Sequence, residues 1–224
     1  EVVLQAAKQH HKPVLITSSS EVYGKGTRVP FAEDDDVVMG ATCYSRWCYA
    51  YSKGIDEFLA LAYHKQFNLP VRIVRLFNTV GPRQIGMYGM VLPRFVEAAV
   101  TGKPLTVYGD GHQTRCFCHV SDVAAALEKL MSTPASIGQV FNLGSDEEIS
   151  MNDLARRVID LAGSKSPIVH ISYEQAYGVR FDDLPRRVPR LDKIRDVIAF
   201  KPQRTLDQII QSVIDEQRER TSSP

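Results

Sequence analysis

Pro13-Val14-Leu15-Ile16-Thr17-Ser18 and Val71-Arg72-Ile73-Val74-Arg75-Leu76-Phe77, with a long loop and a helix between them, decide the fold of this chain. Each is a short apolar run bounded by Pro or polar residues, the pattern of a strand buried in a parallel sheet. The second is rich in β-branched residues, which pack well on a pleated surface. Residues 24–46 read as loop, with Gly24, Gly26, Pro30 and Gly40 and an acidic run, Glu33 to Asp36, expected to be solvated. Ser45 to Phe67 reads as one long helix. Ile55, Phe58, Leu59 and Ala62 fall at i, i+3, i+4 and i+7, which predicts a single apolar stripe, the face such a helix turns to a core. Strand, loop, helix, strand in that order predicts an α/β fold with parallel crossovers.

The same alternation continues outward in both directions. Glu1 to His11 reads as the second half of a helix ended by Lys12-Pro13. The first residue is Glu rather than Met, so the chain is expected to be a piece of something longer. Downstream, Val91 to Thr101 is predicted helical and closed by Gly102, and Leu105 to Tyr108 is a short strand running into the turn Gly109-Asp110-Gly111. Ser121 is expected to cap a helix through Met131, with Asp122 in its first turn. Val140 to Leu143 and Ile168 to Ile171 are strands. Ser150-x-x-Asp153 resembles a capping box opening a helix to Leu161 that stops near Gly163, and Thr205-x-x-Gln208 opens the last helix, Leu206 to about Glu219. Leu191 to Ile198 is a short helix, and Arg220 to Pro224 is expected to fray.

Bulk properties exclude several function classes. Of 224 residues, 44% are hydrophobic and 24% charged, ordinary globular values. With 27 basic against 26 acidic residues the net charge is +1, so nothing points to nucleic acid or an anionic membrane. No apolar run approaches the ~20 residues of a membrane span. No secretory signal is visible, and a cytoplasmic location is expected. The four cysteines, 43, 48, 116 and 118, match no common zinc spacing, so no metal is expected. Cys116 and Cys118 should share one face of a strand as structural thiols.

Chemistry enters at Trp47-Cys48-Tyr49-Ala50-Tyr51-Ser52-Lys53. Tyr49 and Lys53 are one helical turn apart and share a face. An ammonium beside a phenol favours its phenolate, which makes Tyr49 a candidate base. Tyr51, two residues on, points elsewhere. Thr17-Ser18-Ser19-Ser20-Glu21-Val22-Tyr23-Gly24 stands at the carboxyl end of the first strand, where ligands bind in open α/β sheets.

Taken together, Ser-Ser-Glu-Val-Tyr-Gly, Tyr-x-x-x-Lys, Phe-Asn-x-x-Gly-Pro-Arg (77–83), Leu-Thr-Val-Tyr-Gly-Asp-Gly-x-Gln-Thr-Arg (105–115), His-Val-Ser-Asp-Val (119–123) and Phe-Asn-Leu-Gly (141–144) resemble the extended short-chain dehydrogenases/reductases that act on nucleotide sugars. The resemblance covers essentially the whole chain. It implies the carboxyl-terminal part of a Rossmann-type doubly wound parallel sheet plus a smaller α/β substrate-binding lobe. Residues 1–90 would be a partial NAD-binding domain carrying the Tyr/Lys helix. Residues 91–224 would be mainly the nucleotide-sugar lobe, with roughly 105–145 returning in part to the sheet.

The resemblance also implies roles. Tyr49 matches the base that deprotonates a sugar hydroxyl, Lys53 the residue that supports it and holds the nicotinamide ribose, and Ser19 the hydroxyl that bonds the same sugar oxygen. Ser20 and Glu21 join them as catalytic candidates, Glu21 as an additional acid or base. Ser18 and Phe77 fall on the cofactor side with Tyr49 and Lys53. Asn78 matches an amide at the substrate diphosphate, Tyr108 packs against the nucleotide base, and Arg115 and Arg187 grip diphosphate and ribose, a task suited to guanidinium. Asp122 is expected to be structural, capping its own helix. The cofactor implied is NAD. No G-x-x-G-x-x-G occurs in the sequence, so residues 1–224 alone are expected to bind NAD weakly or not at all.

The expected reaction passes through a 4-keto sugar. Dehydratases resembling this chain carry Thr-Asp-Glu where this one has Ser19-Ser20-Glu21, which puts a 4,6-dehydratase third. Decarboxylases carry Thr-Ser-Glu and a later arginine, which Ser20, Glu21 and Arg187 fit. The stretch Gln84 to Met90 lacks the Asp-Gly-Arg expected of them. A UDP-sugar 4-epimerase of the UDP-glucose/UDP-galactose type is therefore placed slightly ahead of a UDP-glucuronate decarboxylase. A non-catalytic fragment or binding module is the alternative from a different class; retention of Ser19, Tyr49 and Lys53 together argues against it. A homodimer through the Ser45–Phe67 helix is the expected assembly.

Overall fold

The computed structural model describes residues 1–86, 90–178 and 184–222. Part of the Gln84–Met90 stretch and the end of the tail therefore lie outside the described residues. The chain divides into two compact units. One comprises Glu1–Phe77, Val123–Asp146 and Arg187–Lys201, and the other Asn78–Asp122, Glu147–Arg186 and Pro202–Pro224.

The first unit is built on a parallel sheet of three strands, Val14–Ser19, Val71–Leu76 and Gln139–Leu143, with the second in the middle. The register runs Val14 opposite Val71 to Ser19 opposite Leu76, then Arg72 opposite Gln139 to Leu76 opposite Leu143. The middle strand is buried from Val71 to Arg75, as a central parallel strand should be. Val71 and Ile73 face the helices Val2–Gln9 and Arg46–Phe67, packing with Leu4, Ala7 and Ala60.

At the end of the first strand the chain enters a tight 3-10 turn, Ser20–Tyr23. Gly24 closes it at φ +57, where a Cβ would stand 2.2 Å from the Val38 carbonyl oxygen. That position requires glycine on both counts.

The long helix begins and ends within a residue of its expected span, but only part of its expected stripe faces the core. Ile55 is 57% exposed and Phe58 72% exposed. The buried residues are Trp47, Ala50, Glu57 and Ala60. Only half of the expected stripe turns outward: Leu59 and Ala62 are half-buried, and Leu59 packs on the core with Leu61 and Tyr63 of the same helix.

The second unit packs three helices, Val91–Val100, Met151–Ala162 and Leu206–Ser222, around one apolar cluster that includes Leu92, Phe95, Leu105, Leu154 and Ile210. Leu105–Tyr108 pairs in parallel with Ile168–Ile171, and Thr114–Cys116 pairs antiparallel with Glu148–Ser150. Of the two expected capping boxes, Ser150–Asp153 is a one-sided cap and Thr205–Gln208 is reciprocal. The Ser150 hydroxyl accepts the Asp153 N–H at 3.0 Å, and Thr205 and Gln208 exchange bonds at 3.0 and 3.4 Å.

Four local expectations need correction. Cys116 and Cys118 end one strand and begin another, and Phe117 between them is also buried, so no alternation exists. The helix Val120–Ser132 starts before Ser121, so Ser121 does not cap it. The Asp122 carboxylate accepts the backbone N–H groups of Gln203 at 3.0 Å and Arg204 at 3.3 Å, holding the entry to the last helix rather than capping its own. In the acidic run, Glu33 accepts the Asn142 N–H at 2.8 Å and Asp35 accepts the Ala32 N–H at 2.7 Å, so two of its carboxylates are structural.

Candidate active site

The predicted site residues of the first unit gather at the carboxyl end of the Val14–Ser19 strand. Lys53 reaches across from the long helix and donates to the Thr17 carbonyl at 2.9 Å. Its ammonium stands 6.0 Å from the centroid of the Tyr49 ring, the neighbourhood that i, i+4 spacing implies. Tyr49 is 52% exposed. Tyr51 donates to the Gly40 carbonyl at 3.2 Å, pinning the preceding loop.

The serine run separates into different tasks. The Ser18 hydroxyl is buried and donates to Glu57 at 2.5 Å. The Ser19 oxygen accepts the Glu21 N–H at 3.2 Å, capping the 3-10 turn. Ser20 is buried. Glu21 holds two arginines. Its Oε1 lies 2.7 Å from Arg187 Nη1 and its Oε2 lies 3.3 Å from Arg46 Nη2. Arg187 also keeps its Nε buried without a hydrogen-bond acceptor. Phe77, just past the middle strand, is buried against Val22, Tyr23 and Phe31.

Beneath this surface lies a buried polar network. Arg75 on the middle strand meets Glu57 through Nη2–Oε2 at 2.7 Å and Nε–Oε1 at 3.0 Å. Its guanidinium also stacks 4.7 Å from the Tyr23 ring centroid, and Tyr23 donates to Asn142 at 2.7 Å. Burial raises the Tyr23 phenol to about 12, against the pull of Arg75. Burial alone would lower the Arg75 value, but the Glu57 hydrogen bond holds it above the ordinary range. Tyr23 is thus a neutral donor and Arg75 a permanent cation.

The remaining predicted residues belong to the second unit. Asn78 donates its amide to the Cys116 carbonyl at 2.8 Å. Arg115 is buried and donates to the Thr114 and Leu184 carbonyls, both at 2.8 Å. Tyr108 carries the Arg94 guanidinium 4.4 Å from its ring centroid and meets Tyr177 edge-on at 5.5 Å.

Sequence reasoning missed Arg46, Glu57 and Arg75. Helical spacing held the signal for two of them. Arg46 is three residues before Tyr49, and Glu57 is four after Lys53, each on the face already singled out.

The donor set fits one end of a dinucleotide. Lys53 and Tyr49, at the carboxyl end of a parallel sheet, suit the nicotinamide ribose. The glycine-rich turn that would take the pyrophosphate is not within residues 1–224. Among the described residues no group of His, Cys, Asp or Glu gathers to hold a metal ion, and no helix is long and apolar enough to cross a membrane.

Similarity to known proteins is extensive. The chain is 44% identical over 218 residues to UDP-N-acetyl-alpha-D-glucosaminuronate decarboxylase of Bacillus cytotoxicus, covering 97% of this chain and 67% of the relative. It is 36% identical over 200 residues to UDP-glucuronic acid decarboxylase 1 of Xenopus tropicalis, covering 89% of this chain and 45% of the relative. The chain therefore spans about two thirds of the first relative and under half of the second. Among solved structures, UDP-glucuronic acid 4-epimerase from Bacillus cereus, in complex with UDP-glucuronic acid and NAD, superposes with a TM-score of 0.84 at 25% identity, over 97% of this chain and 65% of that one. Residues 1–144 match the NAD dependent epimerase/dehydratase family as a whole. With the parallel sheet, the Tyr49–Lys53 helix and that match in hand, the chain belongs to the NAD dependent epimerase/dehydratase family, whose members modify nucleotide sugars.

Proposed function

We propose that this chain carries the proton-transfer centre of a UDP-hexuronate decarboxylase. The observation that carries the reading is Glu21, held at the mouth of the first strand by Arg187 at 2.7 Å and Arg46 at 3.3 Å. Two guanidinium groups on one carboxylate leave an excess positive charge, which suits a substrate bearing its own carboxylate. Two decarboxylase relatives support this reading over the 4-epimerase ranked first from the sequence.

NAD, when bound, supplies the hydride acceptor that turns C4 of the sugar into a ketone. The chain's own residues handle protons and charge. Tyr49 takes the proton from O4. The Ser19 oxygen is already an acceptor for a backbone N–H, so its own O–H is free to donate to O4. As the C5–C6 bond breaks and CO₂ leaves, the electron pair moves toward O4, where Tyr49 and Ser19 stabilise the enolate. A proton then returns to C5 from the Glu21–Arg187 side. Tyr49 gives its proton back to O4 as hydride returns to C4, so that the UDP-pentose leaves with the cofactor again oxidised. Ser20 lines the turn that sets Glu21 in place.

The outward Ile55 and Phe58 suit a second copy of the chain, so the long helix is proposed as the dimer face; elution at monomer size in gel filtration would count against it. For the reaction, the test uses the intact polypeptide with NAD⁺ and a UDP-hexuronate. Glu21→Gln and Arg187→Met are each expected to cut turnover about 100-fold. Turnover near wild type in both variants, or turnover of UDP-glucose in preference to the uronate, would overturn the proposal.

A further inference from the structure

We infer that Glu57 is a positioning residue for the Tyr49–Lys53 pair, fixing the long helix against the end of the first strand through Ser18 and Arg75. The inference rests on the proton-transfer reading of that pair and not on which sugar is turned over.

Two adjacent residues of the strand are gripped by two residues one helical turn apart. Lys53 donates to the Thr17 carbonyl at 2.9 Å, and Glu57 accepts the Ser18 hydroxyl at 2.5 Å. Glu57 is only 6% exposed. Its two oxygens are bound from the sheet side by Arg75, at 2.7 and 3.0 Å. Arg75 is itself fixed by its bond to the Glu33 carbonyl at 3.1 Å and by the Tyr23 ring.

The helix is also packed through Trp47 and, toward its carboxyl end, through Leu59, Leu61 and Tyr63. Between them, at the turn that carries Lys53 and Glu57, Ile55 and Phe58 point out and the contact with the strand end is polar. Apolar packing tolerates small shifts, whereas directional bonds to one carboxylate specify a single register. A one-residue slip moves a side chain 1.5 Å along the axis and 100° around it. Tyr49 and Lys53 ride on this helix, and Ser19, Ser20 and Glu21 follow directly from the gripped strand. The register therefore sets the distance between the phenol and the serine hydroxyl. A misplacement of about 1 Å at such a centre costs on the order of 100-fold in rate.

Glu57→Gln is the direct test, made in the intact, NAD-supplied polypeptide. The glutamine keeps the shape but turns an amide N–H₂ toward the Arg75 donors. Expected are a fall in kcat of about 10- to 100-fold with KM for the nucleotide sugar unchanged within about twofold, and faster amide exchange at residues 49–53. Ser18→Ala should lower kcat less, and adding it to Glu57→Gln should add little, because the two act as one unit. If Glu57→Gln does not fold, Ser18→Ala alone decides, by the same split between kcat and KM. A folded Glu57→Gln protein with kcat within about twofold of wild type, or one in which KM rises and kcat holds, overturns the inference. Wild-type turnover in Tyr49→Phe would instead sink the proton-transfer reading, and the exchange measurement would still judge the clamp.

Discussion

Two helices of this chain are held in opposite ways. The last helix of the second unit buries Leu206, Ile209, Ile210, Val213 and Ile214, an unbroken i, i+3, i+4, i+7, i+8 stripe. The long helix of the first unit buries Trp47, Ala50, Glu57 and Ala60, packs Leu59, Leu61 and Tyr63 partly against the core and exposes Ile55 and Phe58, and its contact with the end of the first strand is polar. An apolar seam contributes free energy and tolerates small shifts. A polar seam contributes less net stability but admits one geometry. The helix with the polar seam is the one that carries Tyr49 and Lys53, the proposed proton-transfer pair.

The largest effect is expected at the chemical end of that seam. Tyr49→Phe should lower turnover about 10²- to 10⁴-fold with the melting temperature unchanged, measured as product formed in the intact polypeptide with NAD⁺. Full activity would mean that this helix has no catalytic duty to explain its seam.

Next comes stability. Glu57→Ala leaves Arg75 buried and unpaired and should destabilise by about 3–5 kcal/mol, whereas Ile210→Val in the apolar seam should cost only about 0.5–1.5 kcal/mol. Replacing Glu57 and Arg75 together by Met and Leu sharpens the contrast. That double variant should unfold at the same or higher urea concentration, by up to about 1–4 kcal/mol, and still turn over slowly. A double variant with full activity would show that the polar seam was never needed.

A smaller effect concerns pH in the second unit. The Arg186 hydrogen bond pulls the Glu148 carboxyl down to about 2. Its folded value lies below its unfolded one, so its stabilisation is complete above the ordinary carboxylate range and is lost as pH falls through about 2. Arg186 is 54% exposed, so the contribution should not exceed about 1 kcal/mol. Urea midpoints of wild type and Glu148→Gln should converge as the pH approaches 2. Smallest of all, Phe58→Ser should change monomer stability by less than about 0.5 kcal/mol, read from the urea midpoint at concentrations too low for association.

The sequence made the sheet and the apolar-seam helices legible because their signals are local. Ser150 and Thr205 cap helices through residues three positions away, and Leu105–Tyr108 and Ile168–Ile171 are strands with turns at their ends. What stayed hidden depends on partners distant in the chain. Arg72 and Arg75 sit inside a strand that reads as apolar, and both are buried. Arg72 donates its Nε to the Leu130 carbonyl and Ser136, and Arg75 is paired with Glu57. Periodicity identified the stripe Ile55, Phe58, Leu59 and Ala62 but carries no information on which of these residues the sheet will cover. The Glu21–Arg187 pair joins residues from opposite ends of the chain, and only the family resemblance hinted at it.

The most direct measurement follows the carboxyl carbon. The intact polypeptide, with NAD⁺, is given UDP-N-acetylglucosaminuronate labelled with ¹³C at C6, and the reaction is followed by NMR. The account predicts that the label leaves as CO₂ and bicarbonate while a UDP-linked pentose derivative accumulates. Retention of the label in a hexuronate inverted at C4 would contradict it.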